Sequence, residues 1–194
     1  NLKNKIGIIF GATGLLGSHI SKRFAKLGAN LILQGKTIKK LKNLDESLRL
    51  FGKKSILFNC NINNSKNYEN LSQSIKKNYT HLDFYINCIG FIEKLCPLND
   101  LTYQEWDNLI EINLNSKWKI LKELDPLLKQ SNKPYIYFFN NKIISNGQPY
   151  YHAYAVANAG IEALVKLYSK ENKKFSISTE IINIKNLKDG IFKK

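Results

Sequence analysis

"KIGIIFGATGLLGSHISKRFAKLG", residues 5–28, decides how the rest of the chain is read. Residues 5–10 are a short, nearly continuous apolar run, which suits a strand buried on both faces of a parallel sheet. From Leu15 onward the apolar residues recur at helical spacing, and Gly28 supplies the stop. Between the two stand glycines at 11, 14 and 17. Gly11 permits a tight turn, Gly14 lets the backbone approach a pyrophosphate, and Gly17 lets the helix pack closely on the sheet. The helix start then offers free N–H groups and positive potential to phosphate. This strand–turn–helix order predicts a nucleotide site in which Gly11, Thr13, Gly14, Leu15, Leu16 and Gly17 face the cofactor.

Outward from this unit the pattern repeats. Apolar strand segments fall at 30–34, 55–60, 82–90, 134–139 and 175–184. Helical patterns fall at 37–52, 65–79, 102–130 and 150–171, the second with Tyr68, Leu71 and Ile75 on one side. Thr102 is an N-cap with Glu105 at capping-box spacing. Six alternations predict an α/β fold: a doubly wound parallel sheet of the Rossmann type, in three α/β/α layers. No linker, repeat or low-complexity break divides residues 1–194, so one domain is expected.

The formal charge of +15 raises a nucleic-acid reading. Of the basic residues, 28 are Lys and only two, Arg23 and Arg49, are Arg; Asn and Ile are equally inflated at 24 each. Such a bias, spread along the chain rather than on one stripe, speaks for solvated surface lysines and against a nucleic-acid partner. No apolar run of about 18 residues is present, so no membrane span is expected. Asn1-Leu2-Lys3 leads into the first strand, unlike a signal peptide. Cys60, Cys88 and Cys96 lack CxxC spacing and read as reduced thiols, which suggests a cytoplasmic protein. No metal-ligand spacing occurs. Absence of Met, and a start at Asn1, suggest either a fragment of a longer chain or a sequence with residues missing.

Cofactor choice is decided after the second strand. An acidic residue there would accept the ribose hydroxyls of NAD; this chain has "LQGKT", residues 33–37. Lys36 is placed to meet a 2′-phosphate, which favours NADP over NAD.

At this point the chain resembles the short-chain dehydrogenase/reductase family along nearly its whole length. "GATGLLG" resembles the family's glycine motif, and "INCIG" (86–90) its strand-four Asn-Asn-Ala-Gly, with Asn87 and Gly90 matching and Cys88 and Ile89 replacing Asn and Ala. "CNI" (60–62) sits where members place an Asp or Asn beside the adenine, so Asn61 inherits that role, and Ile62 next to it is expected to border the cofactor. "WDNLIEINLNS" puts Asn113 on the catalytic asparagine, and "YAVANAG" puts Tyr154 on the catalytic tyrosine. The resemblance implies that Asn87, Cys88, Gly90, Tyr154 and Asn158 also border the cofactor. It implies dimers or tetramers formed by the helices at 102–130 and 150–171, with Ile161, Leu164, Val165 and Tyr168 as an apolar patch. It also implies a substrate lid and a final strand beyond Lys194, and a Pro-Gly where "NIKNL" stands after the sixth strand.

Two positions depart from the family set. Its serine, thirteen residues before Tyr154, is Asn141; its lysine, four residues after, is Asn158. Tyr150 and Tyr151 offer no better register, and the nearest downstream lysine is Lys166. A free tyrosine titrates near 10, and a cationic lysine lowers that value. Asn158 can hydrogen-bond a ribose hydroxyl but brings no charge. Proton abstraction from an alcohol should suffer most, whereas protonation of a carbonyl needs only neutral Tyr154. The reading is therefore an NADPH-dependent reductase of a small carbonyl compound with an altered acid/base set. Its alternative is a nucleotide-binding or scaffold protein that has lost the reaction. His152 reads as an exposed histidine at a helix start.

Overall fold

In a computed structural model, which describes residues 1–52, 55–67, 69, 71–141 and 147–184, the apolar runs form six strands. These are β1 (Ile6–Phe10), β2 (Asn30–Gly35), β3 (Ile56–Asn59), β4 (Phe84–Asn87), β5 (Tyr135–Asn141) and β6 (Ser178–Ile184). They pair in the order β3-β2-β1-β4-β5-β6, and every pair is parallel. The order reverses between β1 and β4, and that switch point, beyond the carboxyl ends of the strands, is where such sheets bind ligands.

Side chains alternate between the faces of each strand. Helices α1 (Leu15–Lys26) and α2 (Ile38–Arg49) cover one face, where Ala25, Leu41 and Leu48 pack with Ile9, Leu33 and Ile86. Helices α3 (Leu71–Lys76), α4 (Tyr103–Ile110), α5 (Ser116–Leu128) and α6 (His152–Glu171) belong to the other side. There Leu71, Ile112, Leu124 and Ile161 pack with Ile8, Tyr85 and Phe138. The three-layer doubly wound sheet expected from the alternation is the observed one.

Two helical expectations change. The segment 65–79 becomes a 3-10 turn, Ser65–Asn67, and the short α3; Tyr68 lies outside the described residues. Asparagine side chains bind the local backbone instead of leaving it to a helix: Asn64 Oδ1 accepts from Lys66 N at 3.1 Å, and Asn67 Nδ2 donates to the Asn61 carbonyl at 2.6 Å. The pattern at 102–130 holds one π turn, Glu111–Asn115, between α4 and α5. Its start is as read: Glu105 N donates to Thr102 Oγ1 at 3.2 Å, and Thr102 N donates to Glu105 Oε2 at 2.8 Å. Ile161 and Val165 are buried in the chain's own core, and the Tyr168 hydroxyl donates to Asp125 at 2.8 Å. Among the described residues no helix is long and apolar enough to cross a membrane.

Gly7 stands opposite Phe84 in the β1–β4 ladder. A Cβ at Gly7 would lie 2.1 Å from the Phe84 ring, which itself packs edge-on against Phe24 at 5.1 Å. Gly7→Ala therefore overpacks the centre of the sheet and is expected to remove about 1–3 kcal/mol of stability in urea unfolding. An unchanged midpoint would mean that the Phe84 ring swings aside freely.

Candidate active site

The glycine turn is held from below by β2. Gly11, at φ +70, donates its N–H to Gln34 Oε1 at 2.9 Å, and Ala12 N donates to the Gln34 carbonyl at 2.9 Å. Gln34 Nε2 then donates to the Cys60 carbonyl at 2.8 Å, which ties the turn to the end of β3. Helix α1 starts after Gly14 with no capping side chain and no acid in its first turn. Its leading N–H groups thus remain available to an anion. A Cβ at Gly17 would come within 2.2 Å of the Gly11 carbonyl oxygen, so only glycine lets the helix start this close to the turn. The bare backbone cradle fits a pyrophosphate.

Two hollows open along the carboxyl edge of the sheet. Gly14, Leu15, Leu16, Gly17, Cys88 and Gly90 line the first, together with Tyr154. Gly11, Thr13, Lys36, Asn61 and Ile62 line the second. The candidates for pyrophosphate, adenosine and the acid/base position are thereby gathered on one edge. Four candidates line neither hollow. Asn87 is fully buried, donating to the Tyr85 hydroxyl at 2.6 Å and accepting from Ile89 N at 2.9 Å. Asn113 sits in the π turn and clamps residue 91 from both sides: Oδ1 accepts from Phe91 N at 2.9 Å, and Nδ2 donates to the Phe91 carbonyl at 2.8 Å. Asn141 ends β5 beside Ile184. Asn158 lies buried one turn below Tyr154 on α6.

Tyr154 is 3% exposed, and a Cβ on Gly90 would lie 3.8 Å from its hydroxyl. Burial raises the phenol above its usual value; the Asn158 amide offsets part of the rise, and Tyr151 adds to it. The Asn158 amide thus lies close to Tyr154, yet its Nδ2 completes no hydrogen bond among the described residues. The neighbouring Asn140 donates Nδ2 to the Asn158 carbonyl at 3.3 Å, and its own buried Oδ1 has no partner among the described residues. His152 is partly buried rather than exposed, with Nε2 3.2 Å from the Lys94 carbonyl oxygen. Burial pushes the Cys60 thiol up to about 11 against the hydrogen bond from Gln34, so it behaves as a small apolar group.

A family profile described as enoyl-(acyl carrier protein) reductase matches residues 11–185. The chain belongs to the short-chain dehydrogenase/reductase family. An uncharacterised oxidoreductase of Escherichia coli K12 is 25% identical over 173 residues, which are 88% of this chain and 69% of that protein. A fatty acyl-CoA reductase of Acinetobacter baylyi is 26% identical over 180 residues, 92% of this chain and 61% of that protein. A Shigella flexneri structure complexed with NADP superposes with a TM-score of 0.88 at 25% identity, over 94% of this chain and 77% of that one.

Beside the positions that mark this short-chain dehydrogenase/reductase, three residues escaped the sequence reading. Gln34, the polar end of an otherwise apolar strand, buttresses the glycine turn. Asn140 lines the first hollow. Lys117, on α5, is only 1% exposed. Its signal was the helical spacing: it stands four residues after Asn113 and four before Leu121, on the inward stripe. No carboxylate pairs with it among the described residues. Burial pulls its ammonium from 10.5 down to about 8, opposed by Cys88. Burial also pushes the Cys88 thiol up to about 12, although Lys117 draws it the other way.

The folded pKa of Lys117 is depressed, so between pH 8 and 10.5 the unfolded chain binds more protons than the folded one. Stability then rises with pH in that window. Below pH 8 the cost of the buried charge is present in full. Lys117→Met removes it, so the variant should be the more stable form at pH 7. Its advantage should fall by on the order of 3 kcal/mol as pH rises to 10.5. Chemical denaturation of both proteins across this range checks it; a gap independent of pH sinks the assignment.

Proposed function

We propose that the protein binds NADPH across the carboxyl edge of its sheet and reduces the carbonyl group of a small molecule. The observation that carries this reading is a shared hollow: the bare start of α1 and the side chain of Tyr154 line the same space. Lys36 beside Asn61 in the second hollow, with no acid at the end of β2, supports the 2′-phosphate form. The NADP complex of the Shigella flexneri relative supports it too.

When bound, NADPH supplies the hydride. Tyr154 donates a proton to the oxygen that becomes an alkoxide. Its raised pKa keeps it protonated at neutral pH, which suits a proton donor and hinders the reverse reaction. Asn141 orients the carbonyl through its amide N–H, and Asn158 holds a ribose hydroxyl. Asn113 acts on residue 91 and so fixes the loop after β4. A second reading, a nucleotide-binding protein without turnover, draws on the same raised phenol and on the neutral Asn158.

NADPH should raise the melting temperature more than NADH at equal concentration. No shift with either at about millimolar concentration, far above ordinary cofactor affinities, would remove the cofactor claim. Asn158→Lys should draw the Tyr154 pKa down and raise alcohol oxidation at neutral pH about tenfold, the gain in tyrosinate for a drop of about one in pKa. Bound NADPH without turnover in either protein, over a panel of carbonyls and alcohols, would favour the second reading.

A further inference from the structure

We propose that Lys117 is the positioning cation of this site, serving from α5 the layer beneath Tyr154 that the family's lysine serves from α6. The inference rests on the NADPH reading above and deepens it.

Helices α4, α5 and α6 lie on one side of the sheet and run inward from its carboxyl edge. Asn113 is bonded to Phe91 just past β4, and Tyr154 reaches Gly90 beside it; these two form the outer layer. Four residues further along each helix, Lys117 and Asn158 form the next layer, both 1% exposed. The helices are in close register there, since a Cβ on Gly160 would meet Leu114 at 2.9 Å. Helical side chains lean toward the N-terminus of their helix. The four-carbon stem of Lys117 therefore carries its ammonium back toward the carboxyl edge. Its interaction with Cys88, at the end of β4 on the wall of the first hollow, agrees with that direction.

A buried ammonium with no carboxylate partner among the described residues is costly, and strongly perturbed ionisable groups cluster at functional sites. The surrounding layer is incomplete in a matching way. Among the described residues, Asn140 Oδ1, an acceptor, and Asn158 Nδ2, a donor, are both buried and unpartnered, while the two residues are joined at 3.3 Å through Asn140 Nδ2. One open acceptor and one open donor in this layer suit a hydroxyl-bearing guest: a sugar hydroxyl of the nicotinamide half of NADPH, or a water that links it to Tyr154. Lys117 thus holds the cofactor's sugar with a charge, a task that neutral Asn158 cannot do alone.

The other titratable groups bordering this layer leave a clear window. Burial pushes the Tyr85 phenol, the Cys88 thiol and the Tyr154 phenol upward. Glu111 pairs with Lys119 at 2.7 Å at the partly exposed start of the helix. Lys117 alone of these moves down into the range around pH 8.

The test is NADPH affinity, read by cofactor fluorescence at pH 7 and pH 9.5. The wild-type protein should bind about tenfold more weakly at pH 9.5, the loss of one charge-assisted hydrogen bond. Lys117→Met should bind about tenfold more weakly at pH 7 and show no further loss at pH 9.5. Lys117→Arg should keep the neutral-pH affinity and lose the alkaline decline, because arginine stays charged. Adding Asn158→Lys to Lys117→Met should restore the affinity at pH 7. Equal affinities and equal pH profiles for the wild type, Lys117→Met and Lys117→Arg would overturn the role of Lys117 and leave the NADPH reading standing. Failure of the wild type to bind NADPH at either pH overturns that reading and this inference with it. Should Lys117→Met not fold, Lys117→Arg decides: an alkaline decline equal to that of the wild type refutes the proposal.

Discussion

The carbonyl oxygen of Gly11 occupies the space in which any larger residue at position 17 would put its Cβ, 2.2 Å away. Because Gly17 has no side chain, α1 can begin directly above the turn and aim its uncapped N–H groups along the carboxyl edge of the sheet. The turn in turn holds its shape through Gln34, whose amide and backbone carbonyl engage Gly11 and Ala12. The second hollow, lined by Gln34 and Lys36, inherits its position from the same strand end. A displaced α1 would open both hollows at once and separate the anion cradle from Tyr154.

Around Tyr154 the chemistry is built from amides. Asn87, Asn113, Asn140 and Asn158 are all at most 2% exposed. They divide into two kinds. Asn87 and Asn113 have donor and acceptor engaged and work as backbone clamps, shaping the chain after β4. Among the described residues, Asn140 and Asn158 each keep one buried polar atom open. Unsatisfied buried polar atoms are rare in folded proteins, and Asn140 also lines the first hollow. Burial raises the Tyr154 phenol above its usual value, and the Asn158 amide offsets part of that rise.

The fold was legible because its signals are local. Apolar runs, glycine stops and the Thr102–Glu105 box each reside within one segment, and the structure shows all of them in place. The glycine turn was legible for the same reason, whereas the choice of Tyr154 came from the family resemblance, and the structure puts that residue on α6. The segment 65–79 was misread because asparagine side chains, invisible to a hydrophobic period, bind the local backbone. The π turn was hidden because an apolar stripe does not record whether a helix bond spans four residues or five; it brings Asn113 onto residue 91. Gln34, Asn140 and Lys117 were hidden because their roles depend on neighbours far away in sequence. One lysine among 28 shows its burial only once α5 is laid on the sheet.

The position of β1 also has a consequence for synthesis. Of these six strands it is made first, yet its neighbours are β2 and β4. Its second edge, and the Lys5 side chain that meets Asp83 at 2.8 Å, stay without partners until residues 83–87 have been made. At roughly 5–20 residues per second, that delay lasts on the order of several seconds. During it the nascent chain shows a row of open backbone groups on an isoleucine-rich strand, the kind of edge that invites pairing with other chains. Rare codons between β3 and β4 would lengthen that exposure, so the yield of folded protein should respond to synonymous changes there more than to those after β5.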